Sequence, residues 1–357
     1  MDEATKKDKC ICWTAYKSFE RSCTEPNIIL FHTKESTFTE KDKYKKRLVL
    51  REFEKRVSAL RNTEGGILFI HITDRTNNNS NLSEFDQFVD KSLKSLIADG
   101  CSFVESYSRK WLSLQHNILI LTVAKGSCVS SVSLNTKVCS DHGIEFPSTF
   151  ELTRFVSKGQ LDESEATVRP EPRPFHLKSQ DWVEDRHIQL KAFFEPTFRT
   201  YCEGHKHNRS DKNFVDYVWN NLRFREYLSG MSKVPRGGSY YVGIAEWKKQ
   251  VVPDVHGIHL KGSKTDITKL FKQKLTTVTV YSFDDKFKSG QKEENIIEIQ
   301  FHNLKTGNSV LELAVKHVKG IVFYDNGPLA YKIDDKSKIV KIAKDQWMNK
   351  VRSWRLK

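Results

Sequence analysis

The sequence has no apolar run approaching the ~18–20 residues of a membrane-crossing helix, so no span is expected in its 357 residues. Its opening, MDEATKKDKCICW, has no apolar core and does not read as a secretory signal. A soluble, cytoplasmic protein is expected. Cysteine is sparse and unevenly spread, with seven residues at 10, 12, 23, 101, 128, 139 and 202 and none beyond. The odd count and irregular spacing argue against a disulfide framework and for reduced thiols. Cys10, Cys12, Cys23 and His32 can be drawn as a zinc set, but their spacing matches no standard finger, and no zinc site is expected. Acidic residues are in deficit, 45 against 59 Lys and Arg, for a net charge of +14.

Half of that excess lies between 303 and 357, where twelve Lys and Arg face five Asp and Glu. Solvated lysines alone would keep the protein soluble. The same charge, with 7 Trp, 11 Tyr and 22 Phe, also fits a footprint for a polyanion such as RNA.

Proline is scarce, yet three of nine stand at 170, 172 and 174. Alternating proline disfavours helix and inner strand, so 157–180 reads as an extended linker. It divides the chain into an N-terminal extension (1–30), an N-lobe (31–156) and a C-lobe (181–357). The two lobes look alike. RNTEGGILFIHITD (61–74) ends a helix, passes a glycine pair and enters a strand. VPRGGSYYVGIAE (234–246) does the same 172 residues later. The helix before the first pair carries a stripe of Val49, Phe53, Val57 and Leu60; the second is expected over 213–228. A later strand, 117–123, pairs in this reading with 295–301, an offset of 178. Helices are further expected over 83–97 and 266–274, and a hairpin around Asp325 to Gly327. The order helix, glycine pair, strand, helix, strand thus occurs twice, which favours duplication. Val340, Ala343, Trp347, Val351 and Trp354 predict a basic amphipathic helix at the C-terminal end.

Several small motifs are weaker. Gly257, Gly262, Ser263 and Lys264 approach a phosphate-binding loop, but Ser263 intervenes where Lys must follow the glycine, so no NTP site is expected. His205 and Lys206, with His207, are polar filler unless they lie beside a metal or phosphate. His256 and His259 read as non-ligands. Tyr240 and Tyr241 point to opposite faces of their strand, so at most one faces a ligand.

The stretch TFTEKDKYKKRLVLREFEKRVSALRNTEGGILFIHI, from Thr37, resembles the opening of a Schlafen core. The second copy, SGMSKVPRGGSYYVGI (229–244), resembles that family's AlbA-like unit, and LAYKI (329–333) its closing hairpin. The likeness runs from about residue 30 onward. It implies an α/β fold of two similar Schlafen-type lobes, with small mixed sheets flanked by helices, forming a basic cleft for RNA. It also implies a Mg²⁺ or Mn²⁺ site built from clustered carboxylates, since hard cations prefer oxygen. Carried over residue by residue, the catalytic and metal acids are Glu203 and Glu246. In one register the position five after Glu203 is Asn208, which brings no charge; in the other Glu203 is the second acid and Phe198 stands five residues before it, so either way two carboxylates remain of three. The family's zinc site in this lobe is missing its cysteines. Arg236, Lys248, Lys249, Arg223 and Arg225, with His205 and Lys206, are the candidate RNA contacts.

This erosion of acids is similar to that of short, core-only nematode Schlafen-like proteins that together cut piRNA precursors. The resemblance therefore implies an RNA-binding subunit of a heteromeric endoribonuclease, with an incomplete active site that is weak or inactive alone, working with other Schlafen-like subunits in the cytoplasm. Partners would carry it to the perinuclear region or a mitochondrial surface. Two alternatives stay open: an autonomous metal-dependent endoribonuclease acting on tRNA-like RNA, and a scaffold that binds no RNA.

Overall fold

The structure is a computed structural model describing Cys10 and residues 12–34, 43–73, 83–96, 103–112, 117–140, 143–147, 152, 184, 187–204, 210–245, 254–260, 262–282, 296–318, 320–325 and 327–353. The chain is α/β. Its first elements are helix α1 (Cys12–Ser22), strand β1 (Ile28–Thr33), helix α2 (Lys43–Arg61), strand β2 (Gly66–Ile72), helix α3 (Ser83–Leu96), and strands β3 (Tyr107–Trp111) and β4 (Ile118–Val123). They form a sheet of order β1-β2-β4-β3, in which β1 runs parallel to β2 and the other pairings are antiparallel. The parallel step needs a crossover, and α2 supplies it. Strand β2 is buried throughout, as an apolar run covered on both faces should be. Leu68 and Ile70 pack under Phe53, Val57 and Leu60 of α2 and Phe85, Phe88 and Leu93 of α3. On the other face, Ile67, Phe69, Ile118 and Ile120 meet Cys12 and Tyr16 of α1.

The second group comprises the short hairpin β5 (Val138–Ser140) and β6 (Gly143–Glu145), strand β7 (Ile188–Lys191), helices α4 (Glu195–Gly204), α5 (Asp211–Asp216) and α6 (Phe224–Met231), and strand β8 (Gly238–Val242). Helix α7 (Lys264–Leu275) and strands β9 (Thr279–Ser282), β10 (Ile297–Asn303), β11 (Ser309–Val315) and β12 (Gly320–Phe323) follow. Its main sheet runs β7-β8-β11-β10, again with one parallel pair, β7 with β8, and antiparallel pairings beyond it.

The glycine pairs do the same work in both sheets. Gly65 and Gly237 have φ of +78° and +64°, where a side chain is strained. A Cβ there would come within 2.8 Å of the Val123 carbonyl oxygen and 1.9 Å of that of Val315. Gly66 and Gly238 lie against the residue that precedes the parallel neighbour, with a Cβ 2.2 Å from the Asn27 carbonyl oxygen and 2.7 Å from that of His187. Ile67 and Ser239 donate backbone hydrogen bonds to those same two carbonyls. The Asn27 amide donates to the Gly65 carbonyl, and the His187 ring nitrogen lies 2.8 Å from the Gly237 carbonyl. A doubled glycine is what lets a helix end pass this close to two strands at once.

Four expectations change. The partner of β4 is β11, not the strand within 295–301: Val123 faces Gly66 and Val315 faces Gly238, an offset of 192. Strand β10 corresponds instead to the edge strand β3. The helix over 213–228 is three pieces. A π-helical stretch, Tyr217–Asn221, follows α5, and Arg223 at φ +61° breaks the path before α6. Among the described residues no hairpin closes around Asp325: β12 pairs with β9, and Tyr331–Ile333 pairs with Ile339–Lys341. The Asn135 side chain donates to the carbonyls of Asp325 and Gly327, holding that turn elsewhere. The C-terminal helix starts at Lys344, with Val340 in a strand, and buries Trp347, Met348 and Val351.

The described residues fall into two compact units that are discontinuous in sequence. The first takes those within Met1–Leu134, Ser148–Ser157 and Pro328–Lys357, the second those within Asn135–Pro147 and Lys158–Gly327. The closing hairpin and helix, drawn above in the C-lobe, thus lie with the first unit. Trp347 donates its indole N–H to Ser131 Oγ at 2.8 Å, and Asn62 Nδ2 donates to the Tyr331 carbonyl at 2.8 Å. No described helix is long and apolar enough to cross a membrane.

Candidate metal centre and the adjoining groove

Strands β1 and β2 each carry histidine at the fifth position of an apolar run, IILFHT and GILFIHI counted from Ile67. Their parallel register sets His32 beside His71, and the alternation of strand side chains puts both on the face that α1 covers. The imidazole centroids are 5.5 Å apart at 73°. Cys12 opens α1, and Cys10 sits in the bend before it, its carbonyl accepting from Trp13 N–H at 2.9 Å. Cys12 Sγ lies 3.0 Å from His32 Nε2 and 3.2 Å from Cys10 Sγ, and Cys10 Sγ lies 3.3 Å from His71 Nδ1. All four donor atoms lie within 4.8 Å of one another. Among the described residues this is the one group of three or more His, Cys, Asp or Glu with such geometry.

Cys12 and His71 are buried; Cys10 and His32 are half-buried. Burial, helped by the hydrogen bond to Cys10, pushes the Cys12 thiol up to about 12. Burial, then the neighbouring His32, holds His71 below its usual value. The far nitrogen of His71, Nε2, is 2.9 Å from Asn117 Nδ2, a contact that fixes the ring. Cys23, the fourth member of the set drawn from sequence, is not in the cluster; His71 takes that place.

Beside this centre, α1, the edge strand β1, α2 and the closing hairpin enclose a groove of about 890 Å³. Four cations line it, Lys17, Lys55, Arg56 and Lys338, against two carboxylates, Glu20 and Glu25. Trp13 supplies ring surface, and the buried Tyr16 is stacked against it. Lys17 Nζ stands 5.0 Å from the Trp13 ring centre, and Lys55 Nζ 5.5 Å from that of Tyr331. Lys17 pairs with Glu20, and Arg56 with Glu52, both at 2.6 Å. Partly exposed pairs of this kind are worth at most about 1 kcal/mol, so a phosphate can compete for these cations.

The residues singled out from sequence are less closely gathered. Glu203 is exposed in the last turn of α4. Arg223 pairs with Glu226 at 2.6 Å, and Arg225 pairs with Asp325 while lying over the Tyr324 ring. Arg236 is exposed, at φ +67°. Glu246, Lys248, Lys249, His205, Lys206 and Asn208 lie outside the described residues. Among the described residues no cluster of three carboxylates forms. Tyr240 and Tyr241 do take opposite faces, but both are buried. Tyr241 donates to Glu312 at 2.9 Å, and His302 Nε2 lies 2.6 Å from the other oxygen of that fully buried carboxylate. Ser263 is the N-cap of α7, its side chain accepting from Thr265 N–H, which accounts for the motif at 257–265 as a helix start.

Compared with known proteins, the chain matches no family model, and no curated protein matches it.

Sequence reasoning drew Cys10, Cys12 and His32 but missed His71 in this candidate metal centre, because it searched nearby positions. The signal was present: two parallel-type strands with histidine in the same place, and a Cys-x-Cys at the start of an amphipathic helix.

Proposed function

We propose that the chain is a Schlafen-like, RNA-binding subunit of a heteromeric endoribonuclease that processes small-RNA (piRNA) precursors. The observation that carries RNA binding is the groove of the first unit. It sets Lys17, Lys55, Arg56 and Lys338 beside the half-buried ring of Trp13. Cations meet phosphates and rings stack on bases, which is how single-stranded RNA is held with little sequence preference. The net charge of +14 adds long-range attraction. The Schlafen-type pairing of lobes is supported by the shared strand order and by glycine pairs doing the same work twice.

Cleavage belongs, in this reading, to the assembled complex. Glu203 is exposed, and Asn208 stands where a third acid is needed. A Mg²⁺ or Mn²⁺ site would therefore draw carboxylates from another subunit, with Glu203 and Glu246 as this chain's contribution.

The test uses the full chain and labelled single-stranded RNA. Binding is expected to weaken steeply with salt, and Lys17→Ala with Lys55→Ala to flatten the log–log slope by roughly 1–2. With Mg²⁺ and no partner, the RNA should stay intact. Cutting abolished by Glu203→Ala would establish the autonomous nuclease instead. No binding at low salt would leave the scaffold.

A further inference from the structure

We infer that Cys10, Cys12, His32 and His71 form a structural zinc site that fastens helix α1 to strands β1 and β2. The donor set decides the metal. Two sulfurs and two imidazole nitrogens suit Zn²⁺ and exclude Mg²⁺ or Ca²⁺, which take oxygen. Zn–S of about 2.3 Å and Zn–N of about 2.0–2.1 Å give a tetrahedron with edges of roughly 3.4–3.8 Å. The neighbouring donors stand 3.0–3.3 Å apart. All four donors lie within 4.8 Å of one another, close enough for one ion to draw them onto that tetrahedron. Four protein donors fill the coordination sphere, which marks the site as structural rather than catalytic.

Charge favours the same conclusion. Zn²⁺ binding displaces the two thiol protons, and two thiolates with one dication make a neutral unit that burial tolerates. Cys12, at the first turn of α1, also lies at the positive end of the helix dipole, which stabilises its thiolate. The ligands come from three elements far apart in sequence. In α1 itself only Cys12 and Tyr16 are buried, a small apolar anchor for an 11-residue helix. The metal replaces that missing grip. Because Trp13, Tyr16 and Lys17 lie on α1, the ion would also fix one wall of the groove.

The inference does not depend on RNA binding, and its test reads metal alone. Untagged full-length protein, purified reduced, should carry about one zinc per chain by mass spectrometry. Exchange for Co²⁺ should give the strong visible d–d bands of a tetrahedral site with two thiolates. Cys12→Ser and His71→Ala should lose the metal and the bands, while Cys23→Ser should keep both. Chelation should lower the melting temperature and speed amide exchange in residues 12–22. Folded, reduced wild-type protein that takes up neither ion would overturn the proposal. So would metal that survives in the Cys12→Ser and His71→Ala variants but leaves with Cys23→Ser. If the ligand variants do not fold, wild-type stoichiometry and the Cys23→Ser spectrum still decide.

Discussion

Lys233 shows how far burial can move a single group. Its ammonium nitrogen donates to the Lys137 and Ser229 carbonyls at 2.9 and 2.7 Å and contacts Ser229 Oγ at 3.1 Å. Burial pulls its pKa from 10.5 down to about 7. The unfolded chain therefore binds more protons than the folded one between those two values. Below about pH 7 both states are charged, and the cost of burying the charge is fully present. As pH rises from about 7 to 10.5 the cost is relieved, by an amount on the order of 3–5 kcal/mol across the window. Urea unfolding at pH 6, 7.5 and 9 should show stability climbing in the wild type and a flatter profile in Lys233→Met. A second residue-scale prediction concerns Gly237. Alanine there would be strained at φ +64° and would meet the Val315 carbonyl. Gly237→Ala is expected to cost roughly 2–4 kcal/mol, read as a lower denaturation midpoint. Equal loss from an exposed control such as Gly307→Ser, which also has positive φ but open space, would assign the effect to dihedral strain alone.

At the scale of elements, the C-terminal helix is held by what it buries. Trp347 is fully enclosed and bonded to Ser131, so Trp347→Ala should destabilise the first unit by about 3–5 kcal/mol. Trp347→Phe should recover most of the packing but not the hydrogen bond, and thermal melts separate the two. The elements legible in the sequence were those with strong period or punctuation. The stripe on α2 and the glycine pairs before β2 and β8 are of this kind. The errors have physical causes. NIIEIQF looks like a central strand, yet β10 is a half-exposed edge. The inner strand, SVLELAV, hides its role behind Glu312, a charge paired by Tyr241 and His302 from neighbouring strands. Helix α1 and strand β1 were read largely as an extension, because an isolated 11-residue helix carries little signal alone. The candidate site was therefore half visible. Cys10, Cys12 and His32 could be proposed as a set, but His71 joins them only through strand register, which sequence spacing does not express.

For the whole molecule, charge and topology point the same way. A chain with 59 basic and 45 acidic residues should meet RNA quickly and lose it as salt rises. Each compact unit repeats one sheet plan, with the glycine pair at the same corner. In the second unit the corresponding sheet face holds Tyr241 and Val310 with the buried Glu312, whereas in the first it receives α1 and the cysteine–histidine cluster. That difference accompanies the groove of the first unit, the proposed RNA-binding surface. The most direct test is photocrosslinking of 4-thiouridine-labelled single-stranded RNA to the full chain, followed by mapping of the adducts. The account predicts adducts at Trp13 and in residues 331–341, lost when Lys17 and Lys55 are both replaced by alanine. Adducts confined to residues outside the groove, or none at low salt, would contradict it.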